Sequence, residues 1–191
     1  MPDLFMQIRS ELGIINPNGD FYQEHIDKIK NNFNIHGNIL DVASGRFPAF
    51  ANRIAKLQMQ IQKGTITICD PNLIISKIKY PNMTLQKKEL TPKTNIKEFD
   101  LITSILPCEA TEIVLQKSIE EQKDFYIALC DCSHLDFTNG KEKYMSTIEY
   151  HNYLIKKAEK LMTTWRSDSL EVEFLDEKYA PLCPILYNKK R

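Results

Sequence analysis

Short apolar segments alternate with amphipathic ones along most of this chain, and this alternation constrains the fold more than any other feature. A short apolar segment between turn residues predicts a buried strand, whereas apolar residues at three- and four-residue steps predict a helix. Strands are predicted at residues 38–43, 65–69, 83–87, 99–106 and 124–130, followed by a hairpin over 170–175 and 184–188. Strands that alternate with helices form a mostly parallel sheet that is covered by helices on both faces. The sequence therefore predicts a doubly wound α/β fold.

Helices are predicted before and between these strands. They cover residues 21–33, 47–61, 73–79, 109–121 and 145–165, and a short helical pattern also runs through the first twenty residues. A length of 191 residues fits one domain and leaves little room for a second. We therefore predict a single domain over 1–191, in which 1–36 form a helical N-terminal extension or lid and 37–191 form the core.

The composition excludes several classes of protein. The chain has 25 Lys+Arg and 25 Asp+Glu, a balance that argues against holding a polyphosphate through bulk charge. No apolar segment approaches the ~20 residues that cross a bilayer, and Met1-Pro2-Asp3 does not begin a secretory signal. The number of cysteines, five, is odd and does not indicate a disulfide framework. We therefore expect a cytoplasmic protein with reduced thiols and no contact with a membrane.

Small and acidic residues follow the first three predicted strands, at the sheet edge where ligands bind in folds of this kind. The small-residue turn at 43–45 exposes helix N-terminal amides to a ligand, although plain packing also explains small residues there. Asp70 can accept hydrogen bonds from both hydroxyls of a ribose, or it can cap a following helix. Glu89 can accept from an adenine amino group while Leu90 packs on the ring, or the acid can be a solvated charge.

The combination of these features resembles the class I methyltransferases that use S-adenosylmethionine. Asp41, Asp70 and Glu89 follow one another at about thirty and twenty residues, and Phe99-Asp100-Leu101-Ile102 then opens the fourth strand. The resemblance covers roughly residues 35 to 190 and includes the closing hairpin. It implies a Rossmann-like, seven-stranded, mostly parallel sheet with an antiparallel last strand, and S-adenosyl-L-methionine as the cofactor.

The resemblance also implies a role for each residue of the site. Asp41, Ala43 and the Ser44–Gly45 backbone would face the methionine part of the cofactor, and Ser104 would lie close to the cofactor. Asp70 would hold the ribose. Pro71 would pack near the adenine, and Glu89 and Leu90 would meet the adenine edge. The turn departs from the family's GxGxG arrangement, since Ala43 and Phe47 stand at its flanking positions. The alternative is therefore a non-catalytic protein of the same fold that binds S-adenosylmethionine or another adenosine ligand, or an assembly factor.

The methyl acceptor is less well defined by the sequence. The segment 106–112 contains no Asn-Pro-Pro-aromatic motif, which disfavours an amino-group methylase of nucleic acids of that type. We expect an unidentified small molecule, RNA or protein as the acceptor, and the sequence predicts no oligomeric state. Asp131 and His134 follow the fifth strand and are candidates for removing a proton from the acceptor.

Three cysteines and a histidine fall on the same sheet edge. Cys108 follows the fourth predicted strand, and Cys130, Cys132 and His134 follow the fifth. Such residues are the ligands of tetrahedral zinc, yet their C-x-C-x-H spacing is not the usual one and cysteine is often simply buried. We therefore predict no metal in this protein.

Overall fold

The computed structural model describes residues 21–74, 78–130, 134–138, 141–165, 168–174 and 184–189. The helices are α1 (Phe21–Asn32), α2 (Ala49–Gln60), α3 (Thr111–Glu120) and α4 (Thr147–Trp165), with a 3-10 turn at Cys108–Ala110 before α3. The strands are β1 (Asn38–Val42), β2 (Thr65–Cys69), β3 (Met83–Gln86), β4 (Leu101–Ile105), β5 (Asp124–Ala128), β6 (His134–Thr138), β7 (Lys141–Met145), β8 (Ser169–Phe174) and β9 (Pro184–Lys189). The predicted strands are all present, with ends that differ by one or two residues.

Seven of these strands form one sheet in the order β3-β2-β1-β4-β5-β9-β8. Strands β1 to β5 pair in parallel, whereas β9, the last strand, is antiparallel to both β5 and β8. The seven-stranded, mostly parallel sheet with an antiparallel last strand is therefore confirmed. Strand order reverses between β1 and β4, because the chain runs outward from β1 to β3 and then returns to the other side of β1. This switch point is where open α/β sheets bind ligands.

The strands carry apolar residues on both faces, and each face has its own core. In β1, Ile39 belongs to the core that includes α1 and α2, whereas Leu40 and Val42 belong to the core that includes α3 and α4. Strands β4 and β5 alternate in the same way, and the central residues of both strands are almost completely buried. The sheet therefore lies between two pairs of helices, as the alternation predicted.

The predicted alternation is incomplete in two of the connections. The described ends of the predicted helix 73–79 form no helix, and residues 75–77 lie outside the described residues. Ile74 and Ile78 are exposed there while Leu73 is buried, so these positions form no single apolar face. Residues 87–100, which are all described, also contain no helix and cross to β4 through turns. Strict alternation of strand and helix was therefore a wrong expectation for this half of the sheet.

The segment after β5 also differs from the prediction. Strands β6 and β7 form a separate two-stranded antiparallel sheet where the sequence indicated only a loop. His134 is the first residue of β6, and its register partner is Met145. This hairpin lies between β5 and α4 along the chain, so the connection contains two strands that the sequence did not predict.

The described part of the predicted N-terminal extension is packed rather than free. Phe21, Ile26 and Ile29 of α1 lie in the same core as the sheet residues Ile39 and Tyr126. The first twenty residues lie outside the described residues, so the helix and the lid predicted there stay predictions. In the described ranges, no helix is both long enough and apolar enough to cross a membrane.

Gln58 holds the amino-terminal edge of the sheet to α2. Its Nε2 donates to the carbonyls of Ile35 at 2.9 Å, Gly37 at 3.2 Å and Thr65 at 3.4 Å, and the side chain is completely buried. These carbonyls lie just before β1 and at the start of β2. The Gly37 carbonyl also accepts from the Thr65 N–H, whereas the Ile35 carbonyl is buried beside the amide. A buried carbonyl without a donor is costly, so this amide fixes where β1 and β2 begin relative to α2.

We expect Gln58→Ala to lower the free energy of unfolding by about 2 to 3 kcal/mol, because it removes the donor to the buried Ile35 carbonyl and opens a cavity. Gln60→Ala, two residues along the same helix at an exposed position, is the matched control and should change it by less than about 0.5 kcal/mol. Urea denaturation followed by circular dichroism measures both changes. Equal effects of the two substitutions would contradict the structural role of the Gln58 amide.

Candidate functional site

The acids at the ends of β1 and β2 are joined through one turn. Asp41 lies in the last half of β1, and Asp70 directly follows β2. The Ser44 hydroxyl donates to an Asp41 carboxylate oxygen, and the Gly45 N–H donates to Oδ2 of Asp70 at 2.8 Å. Adjacent residues of the turn that leads to α2 therefore hold both carboxylates at the switch point of the sheet.

Asp41 is enclosed by protein. Only 1% of the residue is exposed, and its Oδ1 accepts a hydrogen bond from Thr103 Oγ1 at 2.9 Å. Burial raises the pKa of Asp41 to about 7, and the nearby charge of Asp70 acts in the same direction. The hydrogen bonds from Ser44 and Thr103 favour the charged form and limit the rise. Asp41 therefore changes its charge in the neutral pH range.

Asp70 is also buried, with 4% of the residue exposed, and both of its oxygens have backbone partners. Oδ1 accepts from the Asn72 N–H at 2.6 Å, in addition to the Gly45 N–H on Oδ2. The contact with Asn72 closes a local turn after Pro71, which is exposed. Asp70 thus fastens the end of β2 to the turn after β1, where it was predicted to meet a ribose.

The turn after β1 has an unusual backbone. Ala43 has a φ of 56° and Gly45 a φ of 74°, both in the left-handed region. A side chain disfavours this region by roughly 1 to 2 kcal/mol, so Ala43 adopts a conformation that glycine adopts without cost. A Cβ added at Gly45 would meet nothing within 4 Å, so the space beside this residue is open. The backbone of the turn is therefore accessible from outside the sheet edge.

Glu89 and Leu90 follow β3 but point to different environments. Glu89 is exposed, whereas Leu90 is buried in the core that includes α3 and α4. The preceding Lys88 carbonyl accepts a hydrogen bond from Cys69 Sγ at 3.3 Å, which keeps this segment against the end of β2. The three predicted acids thus follow three adjacent strands on one edge of the sheet. A contact between Leu90 and an adenine ring stays a prediction.

Residues of β4 complete this part of the site. Ser104, which was predicted to lie close to the cofactor, is completely buried and donates to the Val42 carbonyl at 2.7 Å. Thr103, its neighbour, was not predicted, although it is the residue that donates to Asp41. The parallel register pairs Asp41 with Thr103, so knowledge of the strand order would have identified this contact.

The edge beyond β4 and β5 contains a second strained turn. Leu106 and Cys108 have φ values of 57° and 48°, and the Cys108 carbonyl accepts from Thr111 Oγ1 at 2.6 Å. At the end of β5 the Cys130 carbonyl is hydrogen-bonded to His151 Nε2 of α4 at 2.7 Å. These contacts fix the loops that border the open side of the sheet edge.

The predicted proton acceptors and metal ligands are only partly described. Asp131 and Cys132 lie outside the described residues, and so does the side chain of His134. No group of three or more potential metal ligands occurs in the part of the chain that the structure describes. The roles of Asp131 and His134 therefore stay predictions.

A polar cluster joins α3 and α4 beside this edge. Glu112 Oε1 accepts from Tyr153 Oη at 2.7 Å and also pairs with the Lys157 ammonium. Partial burial opposes the charge of Glu112, but the hydrogen bonds from Lys157 and Tyr153 and the Lys157 charge together lower its pKa. Tyr150 stacks on Tyr153 with 6.3 Å between ring centroids. Aromatic rings and a fixed carboxylate thus stand next to the loops after β4 and β5.

Comparison with known proteins identifies the fold. No protein-family model matches the chain, and no curated protein matches it. Among solved structures, the sugar N-methyltransferase KedS8 from Streptoalloteichus sp ATCC 53650 aligns with 100% of this chain and 93% of its own, at 10% identity and a TM-score of 0.53. The glycopeptide N-methyltransferase MtfA, solved with S-adenosyl-L-homocysteine, covers 91% of each chain at 7% identity and a TM-score of 0.51.

The CMeT domain of the citrinin polyketide synthase is similar over 99% of this chain, at 11% identity and a TM-score of 0.56, although the chain spans only 57% of that structure. These likenesses, together with the strand order, show that the chain has the fold of class I methyltransferases.

The raised pKa of Asp41 predicts how stability depends on pH. Between its unfolded pKa, near 4, and its folded pKa of about 7, the native state holds a proton that the unfolded state has lost, so stability falls as pH rises. Asp41→Asn cannot titrate and therefore lacks this loss. We expect the difference in free energy of unfolding, variant minus wild type, to increase by about 2 kcal/mol when the pH rises from 5 to 7.

Urea denaturation at both pH values measures this difference. Burial and the charge of Lys28 lower the pKa of His25 to about 3, so His25 makes the stability rise with pH. This effect is the same in the wild type and in Asp41→Asn, so it cancels in the difference between them. Asp27→Asn, at an exposed position of α1, is the control and should follow the wild type at both pH values. Parallel behaviour of the wild type and Asp41→Asn would contradict the assignment.

Proposed function

We propose that this chain binds S-adenosylmethionine at the carboxyl ends of β1 to β3 and transfers its methyl group to an acceptor at the ends of β4 and β5. The observation that carries the proposal is the arrangement of Asp41 and Asp70, which are held by adjacent residues of one turn at the switch point. The fold supports it, because proteins named as methyltransferases share the fold of this chain.

In this proposal Asp70 holds the ribose. Each of its oxygens accepts one backbone N–H and keeps a second lone pair, so the carboxylate can accept from two neighbouring hydroxyls as well. Asp70 is buried and the Gly45 N–H covers its Oδ2, so in this proposal the Ser44–Gly45 turn moves outward when the ribose binds. The open space beside Gly45 leaves room for that movement and for a ligand close to the backbone.

The remaining predicted residues surround the same ligand. Glu89 is exposed and can accept from an adenine amino group, and the turn 43–45 with Asp41 faces the methionine part. Pro71 lies next to Asp70 and is exposed, so it is available to cover the adenine. Phe47 is 62% exposed, so its side chain adds apolar surface beside the turn and does not fill the core under α2. The methyl group of Ala43 takes up space beside the turn that a glycine at this position would leave free for the ligand.

The chemistry requires positioning more than a catalytic group. When bound, the cofactor would supply a methyl group on a positively charged sulfur; the acceptor's nucleophile would bond to the methyl carbon in line with the carbon–sulfur bond, which breaks and leaves the sulfur as the neutral thioether of S-adenosylhomocysteine. The protein has to hold the acceptor at the right angle and exclude water. We propose that the loop 106–108 and the cluster of Tyr150, Tyr153 and Glu112 line the acceptor side, with Asp131 and His134 as candidates for taking up the acceptor's proton.

The acceptor itself is proposed only by class, as a small molecule, an RNA or a protein. We also propose a cytoplasmic location, because an odd number of cysteines is typical of proteins with reduced thiols. The non-catalytic alternative is retained for one specific reason. Ala43 adopts a left-handed conformation at a position where the family's turn has glycine, so the turn is less adapted to a close ligand.

We expect Asp70→Asn to weaken the binding of S-adenosylmethionine and of S-adenosylhomocysteine by at least about tenfold, because the amide sets a donor against a backbone N–H and offers one acceptor fewer. Asp100→Asn is the matched control. Asp100 also accepts a backbone hydrogen bond, from the Asn38 N–H at 2.8 Å, but it lies at the opposite end of the sheet. Isothermal titration calorimetry measures both affinities.

Two outcomes separate the hypotheses. If the wild type binds neither compound, both the methyltransferase and the adenosine-binding alternative are wrong. If it binds them, the protein is incubated with methyl-labelled S-adenosylmethionine and with separated small-molecule, RNA and protein fractions of a cell lysate. Transfer of label to one fraction identifies the acceptor class, whereas binding without transfer to any fraction favours the non-catalytic alternative.

A further inference from the structure

Asp41 and Asp70 form a pair of buried acids without a compensating charge. Neither carboxylate has a salt-bridge partner among the residues that the structure describes, and both are almost fully removed from water. Burial away from water without a cation beside it favours the protonated form of Asp41, and the charge of Asp70 acts in the same direction. The hydrogen-bond partners of Asp41 decide whether it can hold that proton.

The two acids have chemically different partners. Asp70 accepts from two backbone N–H groups, one on each oxygen, and these groups can only donate. Asp41 is hydrogen-bonded to the hydroxyls of Ser44 and Thr103, and a hydroxyl can either donate or accept. Asp41 can therefore carry a proton and keep both contacts.

We propose that binding of S-adenosylmethionine is coupled to the release of the proton held by Asp41, so that the charge of this buried acid controls how tightly the site is occupied near neutral pH. The inference rests on the proposed function. At neutral pH the cofactor carries a sulfonium and an ammonium against one carboxylate, so it brings net positive charge. A positive ligand beside the pair favours the ionised form of Asp41, and the proton leaves to the solvent.

The groups that face Asp41 support a transition in this pH range. They are the hydroxyl of Thr103 on β4, the hydroxyl of Ser44 on the turn, and the carboxylate of Asp70 at the end of β2. Burial is the largest cause of the raised pKa of about 7, and the hydroxyls oppose it. Below this pH the ligand must displace a proton in order to bind. We therefore expect the affinity at pH 6 to be about tenfold lower than at pH 8.

Calorimetry of the full chain in two buffers measures the proton directly. Titrations with S-adenosylmethionine are carried out at pH 6.5 in phosphate and in imidazole, which both buffer at this pH and whose heats of ionisation differ. At this pH the α-amino group of the ligand, with a typical pKa of about 7.7 to 8.0, is already protonated and contributes little. We expect release of roughly three quarters of a proton per bound ligand, the fraction that a group of pKa about 7 holds at pH 6.5.

Two variants assign the proton to Asp41. Asp41→Asn should bind without proton release and without the change in affinity between pH 6 and pH 8. Thr103→Val removes a donor that favours the carboxylate, so the midpoint of the affinity profile should move to higher pH. Thr67→Val, at a buried position of β2, is the matched control and should leave both the midpoint and the proton count unchanged.

The outcomes also separate this inference from the proposed function. Binding by the wild type with no proton release at pH 6.5 overturns the coupling but leaves the methyltransferase proposal intact. An unchanged midpoint in Thr103→Val overturns the assignment to Asp41. Absence of binding by S-adenosylmethionine and S-adenosylhomocysteine at every pH overturns the proposed function and the coupling with it.

Discussion

The hydrogen bond from the Gly45 N–H to Asp70 is the contact on which the site depends, because it joins the end of β2 to the turn that follows β1, beyond the ladder of the two strands. Through Ser44 the same turn holds Asp41, and through Thr103 the contact continues to β4. Three neighbouring strands therefore end in one hydrogen-bonded group of side chains. A ligand that moves the turn changes the surroundings of both acids at once.

Much of this architecture follows from local patterns in the sequence. Apolar segments such as 65–69 and 124–130 are strands because they are short, rich in β-branched or aromatic residues and bounded by turns. The burial of Asp41 also follows from a period of two, since it shares a face with Ile39 toward α1 and α2. The position of an acid inside the sheet, and not above it, could have been inferred from that spacing.

The rest depends on contacts between distant parts of the chain. Thr103 lies 62 positions beyond Asp41, and the pair forms only because β4 returns to the far side of β1. A single sequence does not fix that return, so the donor that stabilises the charge of Asp41 was missed. The helix predicted at 73–79 is wrong at its described ends for a local reason: Leu73 is buried while Ile74 and Ile78 are exposed, so these apolar residues do not share one buried face.

The turn at 43–45 and the adjacent Asp41 lower the stability of the unliganded protein at the proposed ligand site. Ala43 in a left-handed conformation and Asp41 without a cation both make the unliganded protein less stable than its two well-packed cores would allow. A positively charged ligand would offset the cost of the unpaired Asp41 carboxylate. Part of its binding free energy would therefore come from relieving this destabilisation of the unliganded protein. The backbone strain at Ala43 arises because an alanine occupies a left-handed position that glycine adopts without cost. In this protein the residues that depart most from ideal packing are thus the residues at the switch point of the sheet, where we propose that the ligand binds.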